Sequence, residues 1–82
     1  MKGVRYTIDA ARDLKRHSTM AVRVRKAICE YAAGGSAHAN NVTRLVGSTA
    51  SRMRVGDYRV IFEETPTEII VTKIAPRGGA YD

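Results

Sequence analysis

Val4, Tyr6 and Ile8 alternate with Arg5 and Thr7 near the start of the chain. A two-residue repeat of apolar and polar positions marks a strand with one buried face, so the chain opens on a strand. The period then lengthens. Asp9 is placed to cap a short helix running through His17, with Leu14 turned to the core. Ser18 or Thr19 caps a second helix, in which Met20, Val24, Ala27, Ile28 and Tyr31 recur at helical spacing. Arg23, Arg25, Lys26 and Glu30 fall mostly on its wet side. Gly34-Gly35 stops it, because glycine tolerates the left-handed conformation past a helix end.

After a polar loop from Ser36 to Asn40, strand patterns return. Residues 42–46 form one, closed by Gly47, followed by 51–55 and 58–63. The last, 69–74, follows a turn around Thr65-Pro66-Thr67. It is apolar at nearly every position, which predicts a central place in the sheet. The order β-α-α-β-β-β-β predicts an α+β fold: an antiparallel sheet with an N-terminal helical hairpin packed on one face. The pattern leaves the strand order open. No repeat, low-complexity tract or linker interrupts residues 1–82, which read as a single domain.

With 82 residues and 44% hydrophobic positions, the chain can bury one modest core and is not a disordered tail. The lone Cys29 excludes an internal disulfide framework and suits a reducing compartment. Met1-Lys2-Gly3-Val4-Arg5-Tyr6 runs straight into alternating sequence, and no apolar stretch is long enough for a bilayer. We therefore expect a soluble, cytoplasmic protein with no membrane partner. No glycine-rich loop joins a strand to a helix, so no nucleotide cofactor is expected. His17 and His38 lack metal-ligand spacing, so no metal is expected either. His17 suits the negative end of the first helix dipole.

Charge changes the picture more. The net charge is +6, from 14 basic and 8 acidic residues. Residues 1–62 hold 12 of the basic groups and only 4 of the acidic ones. A concentrated positive field favours a polyanion or an acidic protein partner. Gly56-Asp57 is a two-residue turn signal between two strand patterns. That turn pairs Val55 with Tyr58, Arg54 with Arg59, Met53 with Val60 and Arg52 with Ile61. Arg52, Arg54 and Arg59 then share one face, while Met53, Val55, Tyr58, Val60 and Phe62 share the other.

Like charges directly opposed on a sheet cost up to ~1 kcal/mol relative to a neutral pair. A phosphate between Arg54 and Arg59 turns that repulsion into attraction, and guanidinium forks match phosphate oxygens in bidentate fashion. Long arginine stems also cover exposed sheet faces with their heads in water, which is the ordinary explanation for any one of them. Three on one face favour the phosphate. If 69–74 pairs beside 58–63, the tail carrying Arg77 and Tyr81 leaves the sheet near this hairpin. Tyr81 can then stack on a base or move a proton.

Taken together, Tyr6-Thr7-Ile8, Ala11-Arg12-Asp13-Leu14-Lys15, Ile28-Cys29-Glu30-Tyr31-Ala32, Arg44-Leu45-Val46-Gly47, Arg52-Met53-Arg54-Val55-Gly56-Asp57-Tyr58-Arg59-Val60 and Ile74-Ala75-Pro76-Arg77 through Tyr81 resemble the RelE/ParE superfamily of bacterial toxins from type II toxin–antitoxin modules. The likeness runs nearly end to end. It implies a cognate antitoxin that wraps the toxin and blocks its active face, with operator DNA reached only through that antitoxin. RelE-type members cleave mRNA in the ribosomal A site without a metal. ParE-type members share the fold, poison DNA gyrase and lack the basic catalytic set.

On the RelE-type reading, the resemblance assigns catalysis to Arg52, Arg54, Arg59, Arg77 and Tyr81, with Arg44 and Lys73 as further RNA-binding residues. The implied reaction is attack by the substrate's own 2′-hydroxyl on the adjacent phosphorus, leaving a 2′,3′-cyclic phosphate and a 5′-hydroxyl. This chain departs from the family in holding arginine at 52 and 54, where lysine is common. Arginine stays protonated, so these positions stabilise charge and are not general bases.

Overall fold

The computed structural model describes residues 2–34, 41–45, 47 and 49–76. The chain runs β1 (Gly3–Tyr6), α1 (Ile8–Arg16), α2 (Ser18–Ala32), β2 (Val42–Arg44), β3 (Ala50–Val55), β4 (Tyr58–Glu64) and β5 (Glu68–Pro76). The strands form one five-stranded sheet in the order β1-β5-β4-β3-β2. Helices and strands thus follow the expected α+β sequence.

The sheet is mixed, which corrects the wholly antiparallel arrangement. From β5 to β2 every pairing is antiparallel, but β1 joins β5 in parallel, with Val4 opposite Ile69 and Tyr6 opposite Val71. A helical pair intervenes between β1 and the other strands, and such a connection lets the chain return in either direction. Alternation within β1 reports only its buried face, so direction was not encoded there.

Helix α1 begins two residues earlier than Asp9 capping would allow. Thr7 is the N-cap, and its Oγ1 accepts from Ala10 N at 3.2 Å. Ile8 is consequently helical and 73% exposed, not the last buried position of the strand. Between the helices the chain needs only His17, whose N–H donates to Asp13 O and whose carbonyl accepts from Met20 N. Neither Ser18 nor Thr19 acts as a cap, because both lie inside α2.

The last strand is flanked on both sides, as its continuous apolar sequence predicted. Strand β4 covers one edge, and β1 covers the other as far as Val71. Helix α1 takes over beyond that point: Thr7 N donates to Val71 O at 3.0 Å, and Ile74 N donates to Asp13 Oδ2 at 3.0 Å. A buried acid thereby substitutes for a missing strand. A bulge between Ile61 and Phe62 leaves Thr72 extra in the register. Its hydroxyl donates to Ile61 O at 3.2 Å. The core face of β5 accordingly shifts from Ile69 and Val71 to Ile74.

The core lies between the helices and one face of the sheet. Val24 and Ile28 of α2 meet Met53, Val60, Phe62, Ile69, Val71 and Ile74, all essentially inaccessible to solvent. Among the described residues, the helices therefore cover one sheet face and not the other.

Candidate nucleic-acid interface

The β3–β4 register matches the pairing read from Gly56-Asp57. Arg54 faces Arg59, Arg52 faces Ile61, Met53 faces Val60 and Val55 faces Tyr58. Gly56 has φ +58° and no non-glycine residue among those described has positive φ, so the turn is the II′ type with glycine first. That turn suits the twist of a tight hairpin and holds the two strands in this register.

The outer face carries two transverse rows. One runs Thr43, Arg52, Ile61, Lys73 and the other Arg54, Arg59, Ala75, each following the cross-strand register. Ile61 and Ala75 are buried here without joining the main core. They give the arginine stems an apolar floor, while Arg52 and Arg59 are half-buried and Arg54 is exposed. Asn41, Thr43, Arg52 and Arg54 line a shallow cavity of about 160 Å³ at its edge. Among the described residues, neither Arg52 nor Arg54 is ion-paired with a carboxylate. These guanidinium groups can meet an anion without first breaking such a pair.

The other site residues fare differently. Lys73 belongs to the outer face by register, but its ammonium lies 3.5 Å from Asp13 Oδ2, at the edge where α1 covers β5. Arg44 does not join the arginines. It pairs with Ser51, which alternates with Arg52, so Arg44 falls on the helix side of the sheet together with Val42. There its charge bears on Glu64. The hydrogen bond from Lys2 Nζ holds the Glu64 carboxyl below the usual range, with the Tyr31 hydroxyl and Arg44 adding to the effect and burial opposing it. Burial, and then the bond to Glu64, pushes the Tyr31 phenol up. Arg77 and Tyr81 lie outside the described residues. The last described pair of β5 is Pro76 opposite Tyr58, beside the hairpin turn.

Sequence reasoning missed one pair here. Tyr58 Oη and His17 Nδ1 are 3.1 Å apart, with their rings edge to face at 5.0 Å between centroids. Alternation places Tyr58 on the helix face, but the contact to the α1–α2 junction depends on how the helices dock. Asn41 was likewise unmarked, being a single polar residue beside a loop. Among the described residues, no cluster of His, Cys, Asp and Glu is arranged to hold a metal ion. None of the described helices is long and apolar enough to cross a membrane.

Comparison with solved structures then identifies the architecture. A chain of the toxin–antitoxin complex RelBE2 from Mycobacterium tuberculosis superposes with a TM-score of 0.62, covering 93% of this chain and 98% of that one. The fold is RelE-like. Sequence identity over the match is 23%. No protein-family profile and no curated protein sequence matches the chain.

Proposed function

We propose that this protein is the toxin of a type II toxin–antitoxin module and that it stops translation by cutting mRNA on the ribosome. The observation that carries this reading is the outward arginine face of Arg52, Arg54 and Arg59 on a RelE-like fold. A gyrase poison of the ParE type has no need of a phosphate-gripping face. Two directly opposed guanidinium groups are a structural cost that an RNA phosphate relieves.

The chemistry proposed for the site is the one the RelE-type resemblance implies, and the site's charge suits it. The RNA 2′-hydroxyl is the nucleophile and attacks the neighbouring phosphorus, while the 5′-oxygen leaves with a proton. Negative charge gathers on the phosphoryl oxygens in the transition state. Arg52, Arg54 and Arg59 stabilise it from fixed positions, which is commonly the largest catalytic contribution. Arg77 and Tyr81 belong to the same proposal. Arg77 adds a cation, and Tyr81 stacks on or orients a base. The ribosome completes the positioning of the substrate. Lys73 grips RNA on the same reading, whereas Arg44, on the helix face, would contact it only outside the arginine cluster.

A cognate antitoxin belongs to the proposal as well. The structural neighbour is a toxin–antitoxin complex, and a +6 chain offers ready binding to an acidic partner. The test is induction in bacterial cells, followed by mapping of RNA 5′ ends alongside a DNA-damage reporter. Cuts phased with codons in translated mRNA are the expected result. DNA damage with intact mRNA would replace this reading with gyrase poisoning.

A further inference from the structure

The arginine face does not end at the edge of the sheet. Strand β2 pairs with β3 only over Ser51–Met53, so among the described residues none pairs with the β3 edge at Arg54 and Val55. A cleft of about 320 Å³ opens there between β3 and α2. Arg23, Lys26 and Glu30 line it from α2, and Arg54 and Gly56 line it from the hairpin, over Ala27 and Val55. Asn41 and Arg54 line both this cleft and the shallow cavity on the outer face. One basic track therefore runs from Arg52 through Arg54, around the strand edge, to Arg23 and Lys26.

We infer that this cleft is a second phosphodiester site, which holds the flanking backbone of the same single-stranded RNA that crosses the arginine face. The inference rests on the nuclease reading above. Arg23 and Lys26 are one helical turn apart on an exposed face, where like charges repel. Among the described residues, neither is ion-paired with a carboxylate. Arg23 also reaches the hairpin: a Cβ at position 56 would lie 3.0 Å from its Nη1, so the guanidinium lies close to the glycine turn. Glu30 bounds the positive track further along α2.

RNA fits this lining better than an acidic protein segment does. Protein interfaces are anchored by buried apolar and aromatic side chains. Ala27 and Val55 offer little of either. Grooves that follow a single nucleic-acid strand need cations and polar groups along the backbone instead.

The test measures binding of the full chain to a labelled single-stranded RNA carrying 2′-O-methyl groups, which block cleavage. Fluorescence anisotropy is recorded across a salt series. The Arg23→Gln/Lys26→Gln double variant should bind more weakly, with a salt slope lower by about 1.4, since each phosphate that is no longer neutralised lowers it by about 0.7. The matched Lys15→Gln/Arg16→Gln variant on α1 should keep the parent slope. Thermal melts should show all three proteins folded, since the four substituted residues are exposed. An unchanged slope in the Arg23/Lys26 variant overturns the inference. So does a polyglutamate peptide of equal charge that binds as tightly as RNA and weakens equally in the double variant, which assigns the cleft to an acidic protein. Absence of mRNA cleavage by the parent in a translating extract would remove the nuclease reading, and the salt slope would still report on the cleft.

Discussion

Arg54 stands directly opposite Arg59 across the β3–β4 hairpin, on the sheet face that the helices leave open. A like-charged pair at this spacing works against the fold. Arg54→Thr should therefore raise stability by roughly 0.5 kcal/mol at low salt while weakening growth arrest on induction. Chemical denaturation at two salt concentrations checks the first effect, because added salt screens the repulsion and should shrink the gain. A variant that is less stable and fully toxic would contradict both halves.

Arg59→Ala should abolish growth arrest while leaving antitoxin binding largely intact. Co-purification with the antitoxin and colony counts after induction read the two properties separately. Full toxicity in this variant would sink the assignment of Arg59 to transition-state stabilisation.

Asp13 is the buried acid that completes the edge of β5. Asp13→Ala removes the acceptor for Ile74 N and leaves that N–H without it in a buried setting. The expected loss is about 1–3 kcal/mol. Urea unfolding measures it directly. A loss well below 1 kcal/mol would mean that another acceptor takes over.

The Tyr58–His17 contact ties the hairpin to the junction of the two helices. Tyr58→Phe should cost about 0.5–1.5 kcal/mol. A double-mutant cycle with His17→Ala should return a coupling energy of similar size. Strict additivity of the two substitutions would show that the hydroxyl contact carries no stability.

Glu64 gives the pH dependence a sign. Its folded carboxyl titrates below the ordinary carboxylate range because Lys2 donates to it, with help from Tyr31 and Arg44. A group with a depressed folded pKa contributes stability above its unfolded pKa and loses it as pH falls through the folded one. Stability should thus decline on acidification from about pH 5 downward, and more steeply in the parent than in Glu64→Gln. The cluster is partly exposed, so the difference should be modest and salt-sensitive. Equal pH profiles would dismiss the Lys2–Glu64 link as a stabilising contact.

Much of this molecule was readable from local pattern. The register of Arg54 on Arg59 followed from a two-residue turn and the strict alternation of strands, both properties of neighbouring residues. The helix over Met20, Val24, Ala27 and Ile28 followed from periodicity in the same way. Arg44 shows the limit. The resemblance put it with the arginines as an RNA-binding residue, but its parity in β2 puts it across the sheet, where its charge bears on Glu64. Parity in a short strand cannot be assigned until its partner is known.

Local spacing thus settles which residues share a helix face or a hairpin face, because turn geometry and side-chain period act over a few residues. The parallel docking of β1, the use of Asp13 as a substitute strand edge, the Tyr58–His17 contact and the cleft between Arg23 and Arg54 are different in kind. Each joins segments far apart in the chain, and each depends on how the helical pair lies across the sheet once the core has formed. The arginine face is a property of one hairpin. Its continuation around the strand edge is a property of the packed domain.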